Sequence, residues 1–188
     1  MSESLFPENP TSLVGTIAPT GYFDPFGLAV GKDASTLKKW REAELKHGRL
    51  AMLAAVGLLT QEITKNPLGI DGPSIYHFEA VDDKFPEFWV ILLTFIGWLE
   101  SISIKNNWEP IAVTKAENRV ANLRDDVEAG DLGFDPLGWY PSDPVEQSTI
   151  KTKELQNGRL AMLGVAGIIA QELVDGKEIL CHFQKVCL

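Results

Sequence analysis

No apolar run in this chain reaches the roughly 18 uninterrupted residues that announce a membrane-spanning helix, yet three long helical patterns stand out. The most apolar, FWVILLTFIGWL (88–99), follows Pro86 near a first helical turn and meets Glu100 at its far end. The other two are copies of one another. EAELKHGRLAMLAAVGLLTQE (42–62) aligns with TKELQNGRLAMLGVAGIIAQE (152–172), so that Glu44, Gly48, Arg49, Leu50, Ala51, Met52, Leu53, Gly57, Gln61 and Glu62 all recur. A second echo precedes each copy: Phe23-Asp24-Pro25 with Gly27, and Phe134-Asp135-Pro136 with Gly138. Two motifs repeated in the same order imply two related helices entered by related loops.

Each copy predicts a helix of about 28 residues, roughly 40 Å at 1.5 Å per residue, against a hydrocarbon layer of roughly 30 Å. Such a helix can span with a tilt. The expected fold is an all-α membrane protein of one domain over residues 1–188 with three transmembrane helices. Its repeat halves cover about 18–65 and 129–175, and its middle helix about 86–104. Pro/Gly-rich stretches, NPLGIDGPS (66–74) and GDLGFDPLGWYPSDP (130–144), predict loops. Residues 174–188 predict a short amphipathic helix at the membrane surface.

The formal charge of -9, with no Lys/Arg block, removes nucleic acid from the candidate partners, because phosphate needs a basic footprint. Cys181 and Cys187 are too few and too terminal for a disulfide framework, which fits a reducing compartment. The opening MSESLFPENP has neither the basic start and apolar run of a signal peptide nor the Arg/Ser-rich look of a transit peptide, so in an organelle a mature form is expected.

The charged residues beside the apolar runs carry the most information, because charges in spanning helices are expensive and usually paired. Glu44 and Arg49 in one copy match Glu154 and Arg159 in the other. Five residues turn a helix through about 500°, so Glu and Arg within one copy point about 140° apart. Each needs a partner elsewhere. If the copies cross about a local two-fold axis, Glu44 meets Arg159 and Glu154 meets Arg49. The plainer alternative, solvated residues opening two amphipathic helices, leaves their duplication in register with GRLAML unexplained.

Three residues after each Glu, on the same helix face, stands a lone-pair donor: His47 in one copy and Asn157 in the other. Small residues follow inward, Ala51 and Ala54 in one copy, Ala161 and Gly164 in the other. A flat macrocycle ligated through its central metal needs such a donor and space alongside the helix. Small residues serve helix packing equally well. Gln61 and Gln171, near the ends of the apolar runs, offer amide oxygens that need some partner.

The pair E-x-x-H-G-R-L-A-M (44–52) and E-x-x-N-G-R-L-A-M (154–162), each led by FDPxG, resembles the chlorophyll-binding light-harvesting family over about residues 18–183. The resemblance implies three spanning helices, the first and third crossing as a pseudo-symmetric pair, with the FDPxG loops (Phe23, Asp24, Pro25; Phe134, Asp135, Pro136) holding two central carotenoids. Carried over by position, Glu44 and Glu154 become ligands to chlorophyll magnesium while also pairing with Arg159 and Arg49. An Arg fork can neutralise a carboxylate and leave one oxygen for the metal. His47, Asn157, Gln171 and Glu100 match further ligand positions; the internal repeat adds Gln61, and His182 falls where some members carry a ligating His. His77 reads as a surface residue.

The chain departs from the green-plant pattern at Ser103, where those members place an Arg, and at Leu92, where they carry a Gln. That leaves Glu100 without an identified charge partner. The segment APTGYFDPFG (18–27) and the altered middle helix look most like the algal branch that binds chlorophyll a and chlorophyll c with fucoxanthin, peridinin or another xanthophyll. The implied role is light capture in a plastid thylakoid membrane, beside a photosystem core, neighbouring antenna subunits and membrane lipid, with no reaction catalysed. A photoprotective member would use the same ligands. From other classes, a di-iron carboxylate oxidase could draw on Glu44, His47, Glu100 and Glu154 but lacks a second Glu-x-x-His, since Asn157 stands there. A pigment-free membrane scaffold would use the polar residues only as helix glue.

Overall fold

The computed structural model describes residues 14–63, 72–109 and 121–179. Among them are four α-helices: α1 (Ala34–Ile63), α2 (His77–Lys84), α3 (Phe88–Asn107) and α4 (Pro144–Asp175), with a 3-10 turn at Ser74–Tyr76 leading into α2. The two repeat helices start alike. Asp33 accepts the first helical bond of α1 from Leu37 N–H at 3.1 Å, and its carboxylate takes the hydroxyls of Ser35 and Thr36. Asp143 does the same for α4, accepting from Gln147 N–H at 3.0 Å, with Oδ1 receiving Val145 N–H at 3.4 Å and Pro144 in the first turn. Both satisfy orphan N–H or hydroxyl donors at a helix start.

At 30 and 32 residues, α1 and α4 run about 45 and 48 Å, longer than a bilayer core. Among the described residues, α3 is the one helix apolar enough by composition to cross a membrane, with a mean hydropathy of 1.5, and none of that apolar stretch is buried. The charged residues of the repeat keep α1 and α4 below that threshold. Four apolar side chains are buried among the described residues: Ala51, Leu123, Leu155 and Ile179. Large ones stand open, among them Leu53, Leu163, Val90, Phe95 and Trp98. Apolar surface on this scale needs a covering other than water.

The chain divides inside its two long helices into two units. The first comprises Met1–Gly48 with Lys105–Gly158. Here α1 meets α4 at Gly48 and Gly158, where a Cβ on either glycine would lie 3.0 Å from the other's Cα. Only hydrogen permits that approach. Flanking segments dock reciprocally on the opposite helix: Glu42, 1 % exposed, accepts Gly130 N–H at 2.5 Å, and Thr152 Oγ1 accepts Gly15 N–H at 3.2 Å while Gln156 donates to Gly15 O at 2.7 Å. Residues 42 and 152 are equivalent in the repeat. The end of α3 is tied to the chain at 122–124 by Glu109 N–H to Asn122 O at 2.9 Å and Arg124 N–H to Asn107 O at 3.0 Å.

The second unit comprises Arg49–Ile104 with Arg159–Leu188. Glu172, fully buried, accepts Ser74 N–H at 3.2 Å on Oε1 and Ile75 N–H at 2.9 Å on Oε2. Glu62 Oε1 accepts Ile179 N–H at 2.9 Å. The structure corrects one reading here. His77 is not a surface residue: it heads α2 and is 5 % exposed. Helix α2 itself was not foreseen, because eight residues rich in Asp and Glu give little apolar periodicity. The surface helix expected at 174–188 falls largely outside the described residues, as do Cys181 and Cys187.

Candidate pigment-binding site

The two FDPxG loops have one construction. Asp24 Oδ1 and Oδ2 accept Leu28 N–H at 2.9 Å and Ala29 N–H at 3.0 Å; Asp135 Oδ1 and Oδ2 accept Trp139 N–H at 3.1 Å and Tyr140 N–H at 2.9 Å. Gly27 and Gly138 both sit at φ +62°, a left-handed conformation that a side chain would strain. With the backbone donors consumed by the Asp, the loops turn their apolar side chains outward: Phe23, Phe26, Phe134 and Trp139 are all exposed. An elongated apolar ligand could lie against such aromatics. Pro25 and Pro136 are exposed beside them.

The backbone N–H bonds hold Asp24 and Asp135 below the ordinary carboxylate value of 3.8, Ala29 and Leu28 acting on the first, Tyr140 and Trp139 on the second. A depressed folded pKa contributes stability above the unfolded value, and that contribution is lost as pH falls through the folded value. The loops should therefore keep their form at pH 3.8, where free Asp is half protonated. Slow exchange of the Leu28, Ala29, Trp139 and Tyr140 amides, persisting there, checks this. Asp24→Asn keeps one acceptor oxygen and should leave one of Leu28 and Ala29 exchanging fast.

On the helices, His47 is exposed and its Nδ1 lies 2.7 Å from Ala43 O. A carbonyl can only accept, so Nδ1 donates to it, and in the neutral ring the lone pair is then on Nε2. A neutral ring held in this way can ligate through Nε2, so the donor fits chlorophyll magnesium. Asn157, its repeat partner, is likewise exposed. Glu44 and Glu154 are half-buried, as are Arg49 and Arg159, and Arg41 Nη1 approaches Glu44 at 3.5 Å. Gln61 and Gln171 are half-buried near the helix ends and Glu100 is exposed on α3. His182 lies outside the described residues. The small residues divide between their two possible uses: Ala51 is buried and serves packing, whereas Gly164 is exposed with open space beside it.

Among the described residues no three His, Cys, Asp or Glu side chains gather as a metal cluster would. Glu44, His47, Glu100 and Glu154 therefore do not form the di-iron site considered from the sequence. The residues that sequence reasoning missed are the carboxylates at the docking points, Glu42, Glu62 and Glu172. Glu62 and Glu172 recur in the repeat, but recurrence alone named no partner. Glu42 gave no signal, since its repeat partner is Thr152.

The family model described as chlorophyll A-B binding protein matches residues 9–173. The chain is 43% identical over 179 residues to light-harvesting complex stress-related protein 1 of Chlamydomonas reinhardtii, covering 91% of this chain and 68% of that protein. Over 158 residues it is 43% identical to a fucoxanthin-chlorophyll a-c binding protein of Isochrysis galbana, covering 83% and 74% of the two chains. A chlorophyll a-b binding protein of Petunia hybrida is 35% identical over 174 residues, covering 89% and 63%. The chain thus spans about two thirds of the length of several of the curated relatives it matches. With the doubled motif, the paired FDPxG loops and a match across most of its length, this chain belongs to the chlorophyll a-b binding family of light-harvesting proteins, a family of pigment binders and not of enzymes.

Proposed function

We propose that this protein is an antenna subunit that holds chlorophyll a, chlorophyll c and xanthophyll carotenoids of the fucoxanthin or peridinin kind in the thylakoid membrane of a plastid. The observation that carries the reading is His47, exposed on a helix with Nδ1 held 2.7 Å from Ala43 O so that Nε2 is left to face a ligand, and repeated as Asn157 on the other copy. In the proposal α1, α3 and α4 all cross the bilayer, and the open apolar side chains of α3 face lipid or pigment. Glu44, Glu154, Glu100, Gln61, Gln171 and His182 supply further axial donors. Arg159 and Arg49 balance Glu44 and Glu154, in keeping with the close approach of Gly48 and Gly158. The bound pigments absorb light and pass excitation among themselves and onward to a photosystem core or neighbouring antenna subunits. The protein's own part is ligation, spacing and exclusion of water.

A fucoxanthin-chlorophyll a-c binding relative at 43% identity supports the harvesting role. The stress-related relatives, also at 43%, favour a second role in which the same scaffold dissipates excitation. Purified pigmented protein excited in its carotenoid or chlorophyll c band should emit from chlorophyll a if it harvests. Absorbed light that returns as heat, with short-lived emission throughout, would favour dissipation.

His47→Leu should remove one chlorophyll and leave the helices assembled, because the imidazole supplies an axial bond but no charge balance. Pigment counting on reconstituted protein checks this. A full complement with an unchanged spectrum would remove His47 from the ligand set.

A further inference from the structure

Within the first unit the two FDPxG loops are attached in a crossed fashion. Each runs at its far end into its own helix, the first into α1 through Asp33 and the second into α4 through Asp143. Each is clipped at its near end to the other helix. Gly130, five residues before Asp135, donates its N–H to Glu42 Oε2 of α1 at 2.5 Å. Gly15, nine residues before Asp24, donates to Thr152 Oγ1 of α4 at 3.2 Å and accepts from Gln156 Nε2 at 2.7 Å. That second clip is tight, since a side chain on Gly15 would run into Leu155. The chain between clip and loop is itself folded, by Gly133 N–H on Asp131 Oδ1 at 2.8 Å in one case and by Gly21 N–H on Ile17 O at 2.8 Å in the other. Asp24 and Asp135 brace the loops from within, so the shape of each loop is local. Its place in the unit depends on the clip.

We infer that each loop is placed by the helix opposite: Glu42 of α1 is the positioning residue for the loop of Asp135, and Thr152 with Gln156 of α4 for the loop of Asp24. The inference rests on the proposed function in one respect, that a xanthophyll lies against the exposed aromatics of each loop, Phe134 and Trp139 in one and Phe23 and Phe26 in the other. A rigid apolar ligand is held by dispersion, and a gap of about 0.5–1 Å forfeits about a quarter to a half of each contact, so a loop must be placed as well as shaped. Lys151 of α4 also reaches the second tether, with Glu128 at 2.6 Å, but Glu128 is exposed and such a pair contributes little. Glu42 is buried and accepts as a charged group, which makes it the stronger hold.

The test uses pigmented, reconstituted protein in wild-type form, as Glu42→Ala, as Glu42→Gln and as Thr152→Ala with Gln156→Ala, beside Asp24→Ala and Asp135→Ala, which each break one loop. Amide exchange, pigment counts and absorption difference spectra are read on all. Glu42→Ala should speed exchange at Gly130 by at least about tenfold, the change expected for loss of a charge-assisted hydrogen bond, and leave the Trp139 and Tyr140 amides slow. It should release the xanthophyll that Asp135→Ala releases, shown by the same difference band. It should keep the one that Asp24→Ala releases, although Glu42 stands on the helix that the Asp24 loop leads into. The α4 variant should do the reverse, with faster exchange at Gly15. Glu42→Gln keeps an acceptor oxygen and should restore both exchange and pigment. Should Glu42→Ala fail to assemble, the α4 variant, which removes only neutral bonds, decides by the same readings. Unchanged exchange at the clipped glycine overturns the clip. Fast exchange with both xanthophylls kept, or with both lost, overturns the positioning role. If neither Asp variant releases a xanthophyll, the loops hold no pigment and that part of the proposed function fails, while exchange at Gly130 and Gly15 still decides the clips.

Discussion

Arg159→Leu should give far less pigmented protein than His47→Leu, and adding Glu44→Leu to it should restore assembly rather than damage it further. Within each copy Glu and Arg point about 140° apart, so their charges cannot meet on one helix. The helices approach to backbone contact at Gly48 and Gly158, each glycine next to one of the arginines. In the proposed pairing, removing one member strands the other charge away from water, at a cost of about 3–5 kcal/mol, while replacing both with apolar side chains can be nearly neutral for folding. The double variant should assemble yet lack the chlorophyll at Glu44. Yield of pigmented protein and the melting temperature by visible circular dichroism, for both single variants and the double, complete the cycle. Additive losses with no rescue would mean that Glu44 and Arg159 do not touch.

Gly48→Ala should lower the melting temperature, and the same substitution at Gly57 of the same helix should not. The added methyl at 48 would lie 3.0 Å from Gly158 Cα, a backbone atom that cannot swing aside, so the helices must part. Overpacking of this kind costs about 1–3 kcal/mol. At Gly57 nothing lies within 4 Å of the added carbon, and alanine should stabilise the helix by up to about 1 kcal/mol. Opposite signs from one chemical change separate the crossing point from general helix propensity. Gly158→Ala should match Gly48→Ala, and if both were neutral the contact would not be made in the folded protein.

The repeat made the helices and loops legible, because a motif that occurs twice with its charges in register needs two equivalent surroundings. Asp24 and Asp135 were readable as loop residues, and the structure supplies what each does there, holding two backbone N–H groups. His47 was readable as a donor from its spacing to Glu44, although its tautomer depends on Ala43 O, a backbone partner that every residue type would offer. What stayed hidden depends on contacts between distant stretches of chain. Glu42 binds Gly130 and Glu172 binds Ser74 and Ile75 through backbone N–H groups, which carry no side-chain signature. His77 is a case of the same kind, since a lone His in a loop-like sequence reads as solvated until packing is known.

The most direct measurement on the central claim is the pigment content of the protein purified in mild detergent, by extraction and separation of chlorophylls a, b and c and the carotenoids. The account predicts a coloured protein that carries several chlorophyll a molecules, chlorophyll c and a fucoxanthin- or peridinin-type xanthophyll per chain, and loses one chlorophyll in His47→Leu. A folded, membrane-inserted protein without pigment would contradict it, and chlorophyll b in place of c would contradict the assignment to the algal branch.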